Sequence, residues 1–321
     1  MKLNKSAIHT VRLEQKSVFI RKKTREKRWE APLIGYLFVS PWLLGLFLLT
    51  LYPMVQSLYF SFTDYSLLEA PNWIGLENYQ KIFLHDKLFY KSLTVTIVFV
   101  VISVPLKLIT ALMMAMFLNQ KIKGISIYRT LIYLPSLIGT SIAVAILWSN
   151  MFGNDGLANH ILALFGIVGK NWIGSPDTAL GTLILLIVWQ FGSSMVIFLA
   201  GLKQISPELY EASAVDGATK IKQFFSITLP MLSPVILFNL VLQTIGSFQM
   251  FTQAFVITKG GPIQSTYMFA LYLYQKAFAG FEMGYASALA WILLLIIALF
   301  TGLIFISSRY WTFYESEGGK G

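Results

Sequence analysis

Cysteine is absent from this 321-residue chain, which excludes disulfides, thiolate nucleophiles, thiolate metal sites and Cys-based redox motifs. Charge is scarce. Asp, Glu, Lys and Arg make up 12% of the residues, against roughly 25% in an ordinary soluble domain. A water-soluble surface of this size needs far more charge, so the chain reads as an integral membrane protein. The three histidines, His9, His85 and His160, fall in different segments and offer no paired metal-ligand spacing. No G-x-x-x-x-G-K-[ST] phosphate cradle occurs, and no Asp-rich pair stands at a membrane boundary to hold Mg²⁺. No catalytic or metal site is assigned, and any energy-dependent work needs another chain to bind the nucleotide.

What the chain does have is apolar length: 56% hydrophobic residues and a mean hydropathy of +0.65. A membrane-spanning helix needs about 20 mostly apolar residues. Six stretches qualify, approximately Leu33–Phe60, Leu93–Leu118, Leu131–Trp148, Ala179–Leu202, Val235–Ile257 and Tyr285–Ser307. None alternates at period two, which excludes barrel strands and predicts an all-α membrane protein of six transmembrane helices. The first run is too long for a signal-peptide core and is expected to stay as an anchor, kinked at Pro41 and Pro53.

The positive charges predict the orientation. Of 25 Lys and Arg, 18 lie before the first span, in 119–130, in 203–230 and in the tail. Six lie in the alternate segments, and Lys107 lies within a span. Both termini are therefore expected in the cytoplasm. The formal charge of +10 is then an insertion and lipid-headgroup signal, not a nucleic-acid patch. This divides the chain into a basic cytoplasmic segment, 1–30, a six-helix membrane domain, 31–309, and a cytoplasmic tail, 310–321. The segment 61–90 carries Pro71 and Gly75 as turn signals.

The loop 203–230 is the most informative part outside the spans. It reads GLKQISPELYEASAVDGATKIKQFFSITLP from Gly201. Ser206, Pro207 and Glu208 form a helix start, with a capping hydroxyl, Pro in the first turn and an acid near the positive dipole end. A short helix follows to Val215, and Asp216-Gly217 supplies a turn. A second short helix carries Ile221, Phe224, Phe225 and Thr228 and is expected to end before Pro230. Such an element is either an interfacial connector or a docking handle for a soluble partner.

The stretch EASAVDGATKIKQFFSITLP resembles the EAA motif of binding-protein-dependent ABC importers, with Glu211, Ala212, Asp216, Gly217, Ala218, Phe224, Ile227, Leu229 and Pro230 in register. Ser213 stands where the motif has its second Ala. The stretches FVSPWLLGLFLLTLYPMVQSLYFSFTDYS, NWIGLENYQKIF, YRTLIYLPSLI, IGSFQMFTQAFVITKGGP and GYASALAW are similar to carbohydrate-type permeases of that family. The resemblance implies a type I (MetI-like) importer transmembrane domain in a bacterial cytoplasmic membrane, the first permease of a heterodimeric pair. It implies a second homologous permease, an extracytoplasmic solute-binding protein and a pair of ATPase subunits that use ATP and Mg²⁺, with no cofactor held by this chain. The loop would be the coupling helix, and Glu211, Ala212, Asp216, Gly217 and Ala218 its ATPase-contacting residues. The cargo implied is a sugar or oligosaccharide. A permease for a peptide, amino acid or phosphate, or an integral membrane enzyme, are the competing readings.

Polar groups inside a span face a cavity or another helix. Asn239, Gln243, Ser247, Gln249 and Gln253 lie in the fifth span beside the aromatic Phe248, and Gln190 lies in the fourth. Amides beside aromatic rings suit sugar hydroxyls and ring faces, and the same residues also serve as interhelical glue. Lys107 sits about 18 Å along its helix from Asn119, near mid-bilayer. There a Lys costs roughly 2.5–3.5 kcal/mol. It either faces the pathway and attracts an acidic saccharide or makes a structural contact. The topology is directly testable in a chain without Cys: Asp216→Cys should react with a membrane-impermeant maleimide only in opened vesicles or from the cytoplasmic face. Labelling in intact cells would overturn the orientation.

Overall fold

The computed structural model describes residues 30–120, 123–139 and 141–313. Residues 1–29 and 314–321, which hold nearly all of the basic N-terminal segment and most of the tail assigned above, lie outside them. Among the described residues the fold is helical. The only extended pairings are two isolated bridges, Thr63 with Trp73 and Ser66 with Glu69. Four helical stretches are long and apolar enough to cross a membrane, Gly35–Phe60, Lys87–Leu118, Lys220–Phe248 and Met283–Ser308, and two bent helix pairs bring the spans to six.

The chain divides into one unit up to Ser57 and a second from Leu58. The first holds α1 (Glu30–Gly45), a π-helical turn at Leu46–Leu51 and the start of α2 (Tyr52–Phe60). No side chain from Leu46 to Leu51 is buried, as befits an apolar surface made for lipid. Tyr52 N–H reaches back five residues to Phe47 C=O, and Pro53 follows at once. The wide turn opens room where a proline ring collides with the preceding helical carbonyls.

In the second unit α3 (Glu77–His85) leads into the central helix α4 (Lys87–Leu118), followed by α5 (Ile125–Ile138), α6 (Ile142–Met151), α7 (Leu157–Leu164), α8 (Pro176–Trp189) and α9 (Gly192–Gln204). Then come α10 (Pro207–Val215), α11 (Lys220–Gln223), α12 (Leu229–Phe248), α13 (Phe269–Tyr274) and α14 (Met283–Ser308). Helix α4 packs against α8, α9 and α12. Its buried stripe recurs every three or four residues, at Phe89, Ser92, Thr96, Phe99, Ser103, Lys107, Ala111, Ala115 and Leu118. Between membrane helices the apolar effect supplies little net drive, so close approach by small side chains has to. Ser103, Ala111 and Ala115 have no exposed surface. A Cβ on Gly192 would meet the Ile132 carbonyl and the Tyr133 Cα of α5 at 2.9 Å, so α5 and α9 touch backbone to backbone.

Four sequence expectations are corrected. The third span is not one helix: α5 and α6 bend by 100° around Gly139 and Ser141, where Ser141 Oγ accepts the Val144 N–H and caps α6. The fourth bends by 42° between α8 and α9. The fifth ends at Phe248 and resumes in a π turn at Ala254–Thr258. The loop's second helix does not stop before Pro230 either. It runs through a π turn at Phe224–Thr228 into α12 as one 29-residue stretch, Lys220–Phe248. Leu229 N–H bonds Phe224 C=O, again a widened turn just ahead of a proline.

One end of the bundle is tied by side chains from distant helices. Thr96 Oγ1 accepts the Phe269 N–H at 2.8 Å, so α4 supplies the cap of α13. Asp86 caps α4 through the N–H groups of Leu88 and Phe89 and also accepts the hydroxyls of Tyr272 and Tyr285. Burial pushes the Asp86 carboxyl up, but those four donors outweigh it and hold the group below its ordinary value. Its contribution to stability is therefore full above the ordinary carboxylate range and is lost as pH falls through the lowered value. Asp86→Asn should cost about 1 kcal/mol at pH 7, allowing for its partial exposure. The deficit should close below about pH 4, read as the difference in thermal unfolding of the two detergent-solubilised proteins. A deficit independent of pH would refute the assignment.

Candidate functional site

The three broken spans meet. Each break leaves backbone carbonyls and amides without helical partners, and hydrocarbon offers none. Gly139 C=O, at the break of the third span, accepts Gln190 Nε2 at 2.9 Å and Gln253 Nε2 at 3.5 Å. Gln190 stands at the break of the fourth span and Gln253 just past that of the fifth. Ser136 completes the junction: its hydroxyl donates to Gln190 C=O at 3.2 Å and accepts Ser193 N–H at 3.0 Å. A Cβ at residue 139 would lie 2.4 Å from the Gln190 side chain, so only glycine admits this contact.

Beside the junction lies a cavity of about 300 Å³ lined by Lys107, Ile187, Gln190, Gln243, Gly246, Ser247 and Gln249–Gln253. It gathers six residues singled out from the sequence: Lys107, Gln190, Gln243, Ser247, Gln249 and Gln253. Met250 and Phe251, where the chain leaves the helix, and Thr252, where it resumes, join them. Phe251 stacks on Phe255 with centroids 5.2 Å apart and leans on Tyr274 at 4.8 Å, which fixes an aromatic wall. Two others lie apart from this lining. Asn239 is fully buried and donates to Val235 C=O of its own helix at 3.1 Å. Phe248 packs on Phe300 of α14, centroids 5.0 Å apart.

Lys107 is 8% exposed and reaches the cavity from α4. Among the described residues it forms no ion pair, and no carboxylate lines the cavity. Groups of three or more His, Cys, Asp or Glu that could hold a metal are likewise absent among the described residues.

The loop between α9 and α12 has well-defined local geometry. Ser206 Oγ accepts Glu208 N–H at the start of α10. At its other end Gly217, at φ +77°, follows Asp216. Ala218 N–H bonds Ser213 C=O, and Gly217 N–H bonds Ala214 C=O. This is a Schellman ending, in which the left-handed residue lets two late carbonyls be satisfied. Glu211, Ala212, Asp216 and Gly217 are exposed and Ala218 is half-buried. Val215 and Ile221 also stand out, 89% and 73% exposed. The sequence reading passed over what holds this element from below. Gln223, 4% exposed, donates to Tyr210 C=O and Ser213 Oγ at 3.0 and 2.9 Å. Tyr210 Oη and Thr228 Oγ1 share a hydrogen bond of 2.9 Å. Ser213, taken as a small-for-small exchange, is thus part of the brace. A glutamine just ahead of the apolar Phe224-Phe225 pair was the available clue.

A polar cavity buried where interrupted membrane helices cross, with a rigid helical handle projecting between two spans, is the architecture of a multi-pass membrane transport protein. The chain belongs to the family of binding-protein-dependent transport system inner membrane components, which it matches over residues 84–311. It is 52% identical over 299 residues to the probable ABC transporter permease protein YesP of Bacillus subtilis (strain 168), covering 92% of this chain and 96% of that one. It is 33% identical to the lactose transport system permease protein LacF of Rhizobium radiobacter, covering 86% and 94%. In fold it is similar to a chain of the bacterial alginate ABC transporter in complex with alginate pentasaccharide-bound periplasmic protein. The TM-score is 0.77 at 21% identity, over 88% of this chain and 98% of that one.

If Gln190 clamps the junction, Gln190→Leu leaves the Gly139 carbonyl only the longer contact to Gln253 at 3.5 Å and should lower stability by about 1–3 kcal/mol, measured by thermal unfolding in detergent. Gln243→Leu, which removes a lining amide with no such backbone bond, should cost under about 0.5 kcal/mol. Equal losses would refute the clamp.

Proposed function

We propose that this chain is the transmembrane permease subunit of an ATP-driven importer that moves a sugar or oligosaccharide by alternating access. The observation that carries the reading is the cavity at the crossing of the three broken spans. Amides of Gln190, Gln243, Gln249 and Gln253 and the Ser247 hydroxyl stand beside Phe251. Several amides match hydroxyls that both donate and accept, and a ring face takes the apolar side of a pyranose. Family membership and the relative named for lactose transport support the same class of cargo. The binding protein seated on the alginate transporter supports a solute-binding partner here.

The remaining assembly follows from what this chain lacks. Without a phosphate cradle of its own, it takes work from a separate ATPase pair. A second, homologous permease completes the pathway, and both termini lie in the cytoplasm of the bacterial membrane. The coupling handle is α10 with its Gly217 turn. Glu211 and Asp216 offer charge to the ATPase cleft, the exposed Val215 and Ile221 offer apolar contact, and Gln223 and Tyr210 transmit the push to α12. Pathway roles for Asn239 and Phe248 are better replaced by structural ones, since both turn to helix packing.

The test is the complex purified with its partner chains and binding protein, with ATP turnover measured against saccharides, peptides, amino acids and phosphate. Stimulation by saccharides is expected, and stimulation by another class alone would overturn the reading. In the same assay Gly217→Val places a β-branched residue at φ +77°, a strain of about 1–3 kcal/mol. It should cut coupled uptake about tenfold or more while ATP hydrolysis continues. Gly302→Ala, where an added Cβ meets nothing within 4 Å, should leave uptake unchanged. Full uptake by Gly217→Val would exclude the handle.

A further inference from the structure

The one feature a neutral-sugar pathway leaves unexplained is Lys107. It lies on the buried stripe of α4, one turn from Ser103 and one from Ala111, neither of which faces lipid. Its side chain therefore cannot escape sideways into the headgroups, and from mid-helix it is too deep to snorkel. A lysine retained for structure at such a depth would pair with a carboxylate or donate to a freed carbonyl. The cavity wall holds no carboxylate. The carbonyl freed at the third-span break, Gly139 C=O, is already taken by the amides of Gln190 and Gln253. Gln190 and Gln253 each donate one amide hydrogen to the backbone and keep their remaining polar groups for cargo, while Lys107 lines the same cavity with no carboxylate beside it.

We infer that Lys107 is the counter-charge for a carboxylate on the cargo, so that the transported saccharide contains a uronate ring. This rests on the sugar-permease reading and narrows it. A 300 Å³ cavity is at the small end of ligand sites, about 300–1,000 Å³, so it accommodates a short segment rather than a long chain. Within it Gln243, Gln249 and Ser247 address hydroxyls, the Phe251 wall takes a ring face, and Lys107 selects the acidic ring. An ammonium–carboxylate contact is charge-assisted and stronger than a neutral hydrogen bond. Neutral sugars would leave the cation unpaired, which turns the same residue into a device against them.

The experiment uses the complete transporter in proteoliposomes with galacturonate and mannuronate trisaccharides and the carboxyl-reduced, neutral form of each. The readout is the ratio of uptake efficiency, acidic over neutral, for wild type, Lys107→Gln and Lys107→Arg. Wild type should favour an acidic trisaccharide by about 10- to 100-fold, the range of one charge-assisted contact. Lys107→Gln should bring the ratio to about one, mainly through KM for the acidic sugar, and Lys107→Arg should keep most of it. A Lys107→Gln protein that loses both sugars in equal proportion, or a wild type that prefers the neutral trisaccharides, overturns the inference and leaves the sugar reading standing. A wild type that moves no saccharide but imports another solute class overturns both.

Discussion

A backbone carbonyl or amide that leaves a helix inside hydrocarbon has no water to turn to, and its neglect costs several kcal/mol. The whole centre of this protein is organised by that constraint. Three of its spans are interrupted, and the groups released at the breaks are collected at one place. Gly139 C=O receives two glutamine amides, while the Ser136 hydroxyl bridges Gln190 C=O and Ser193 N–H. Because the breaks satisfy one another, none can shift without exposing the others. The polar residues needed to quiet the backbone and those free to face a cargo therefore occupy the same depth, and the cavity lies beside the junction.

Rigidity elsewhere serves the same end. Helix α4 runs unbroken with Pro105 inside it and presents small side chains to α8, α9 and α12, so that the interrupted spans are gathered against one continuous post. At one end of that post Asp86 caps the helix and gathers Tyr272 and Tyr285, and Lys276 sits 4.9 Å from the Tyr285 ring while pairing with Glu282 at 3.1 Å. Lower in the sequence order, Gln223 and Tyr210 brace the short α10 against the start of the long Lys220–Phe248 stretch. A force applied to α10 enters a helix that ends, 25 residues after Gln223 and through Phe248, at the cavity itself. The π turns ahead of Pro53 and Pro230 let both long spans carry proline without breaking.

Much of the loop 203–230 was legible because its interactions are local. A Ser-Pro-Glu start and an Asp-Gly end are fulfilled within a few residues by capping and by a left-handed glycine, and no distant partner is needed. The polar residues of the fourth and fifth spans were legible as a set, since polar groups are expensive in lipid wherever the helices point. Their division was not. Asn239 and Phe248 share the span of Gln243 and Ser247, yet turn to Val235 and Phe300; Asn239 lies one turn from Gln243 on the same face, so depth and local packing, which composition does not encode, divide them. The break in the third span hid in an apolar run, because a Gly-Thr-Ser step interrupts a helix only when neighbours such as Gln190 and Gln253 stand ready to take the freed carbonyl.

By itself the sequence determined that the chain crosses the membrane in helices. It also determined that a polar handle lies between the fourth and fifth spans. Hydropathy, charge and capping act over a turn or two, so these features are written where they are read. Only the tertiary structure decided where the spans break, which glutamines serve the backbone, and that among the described residues no carboxylate lines the cavity Lys107 reaches. Those outcomes depend on hydrogen-bond partners 51 and 114 residues apart, brought together only once the helices have packed.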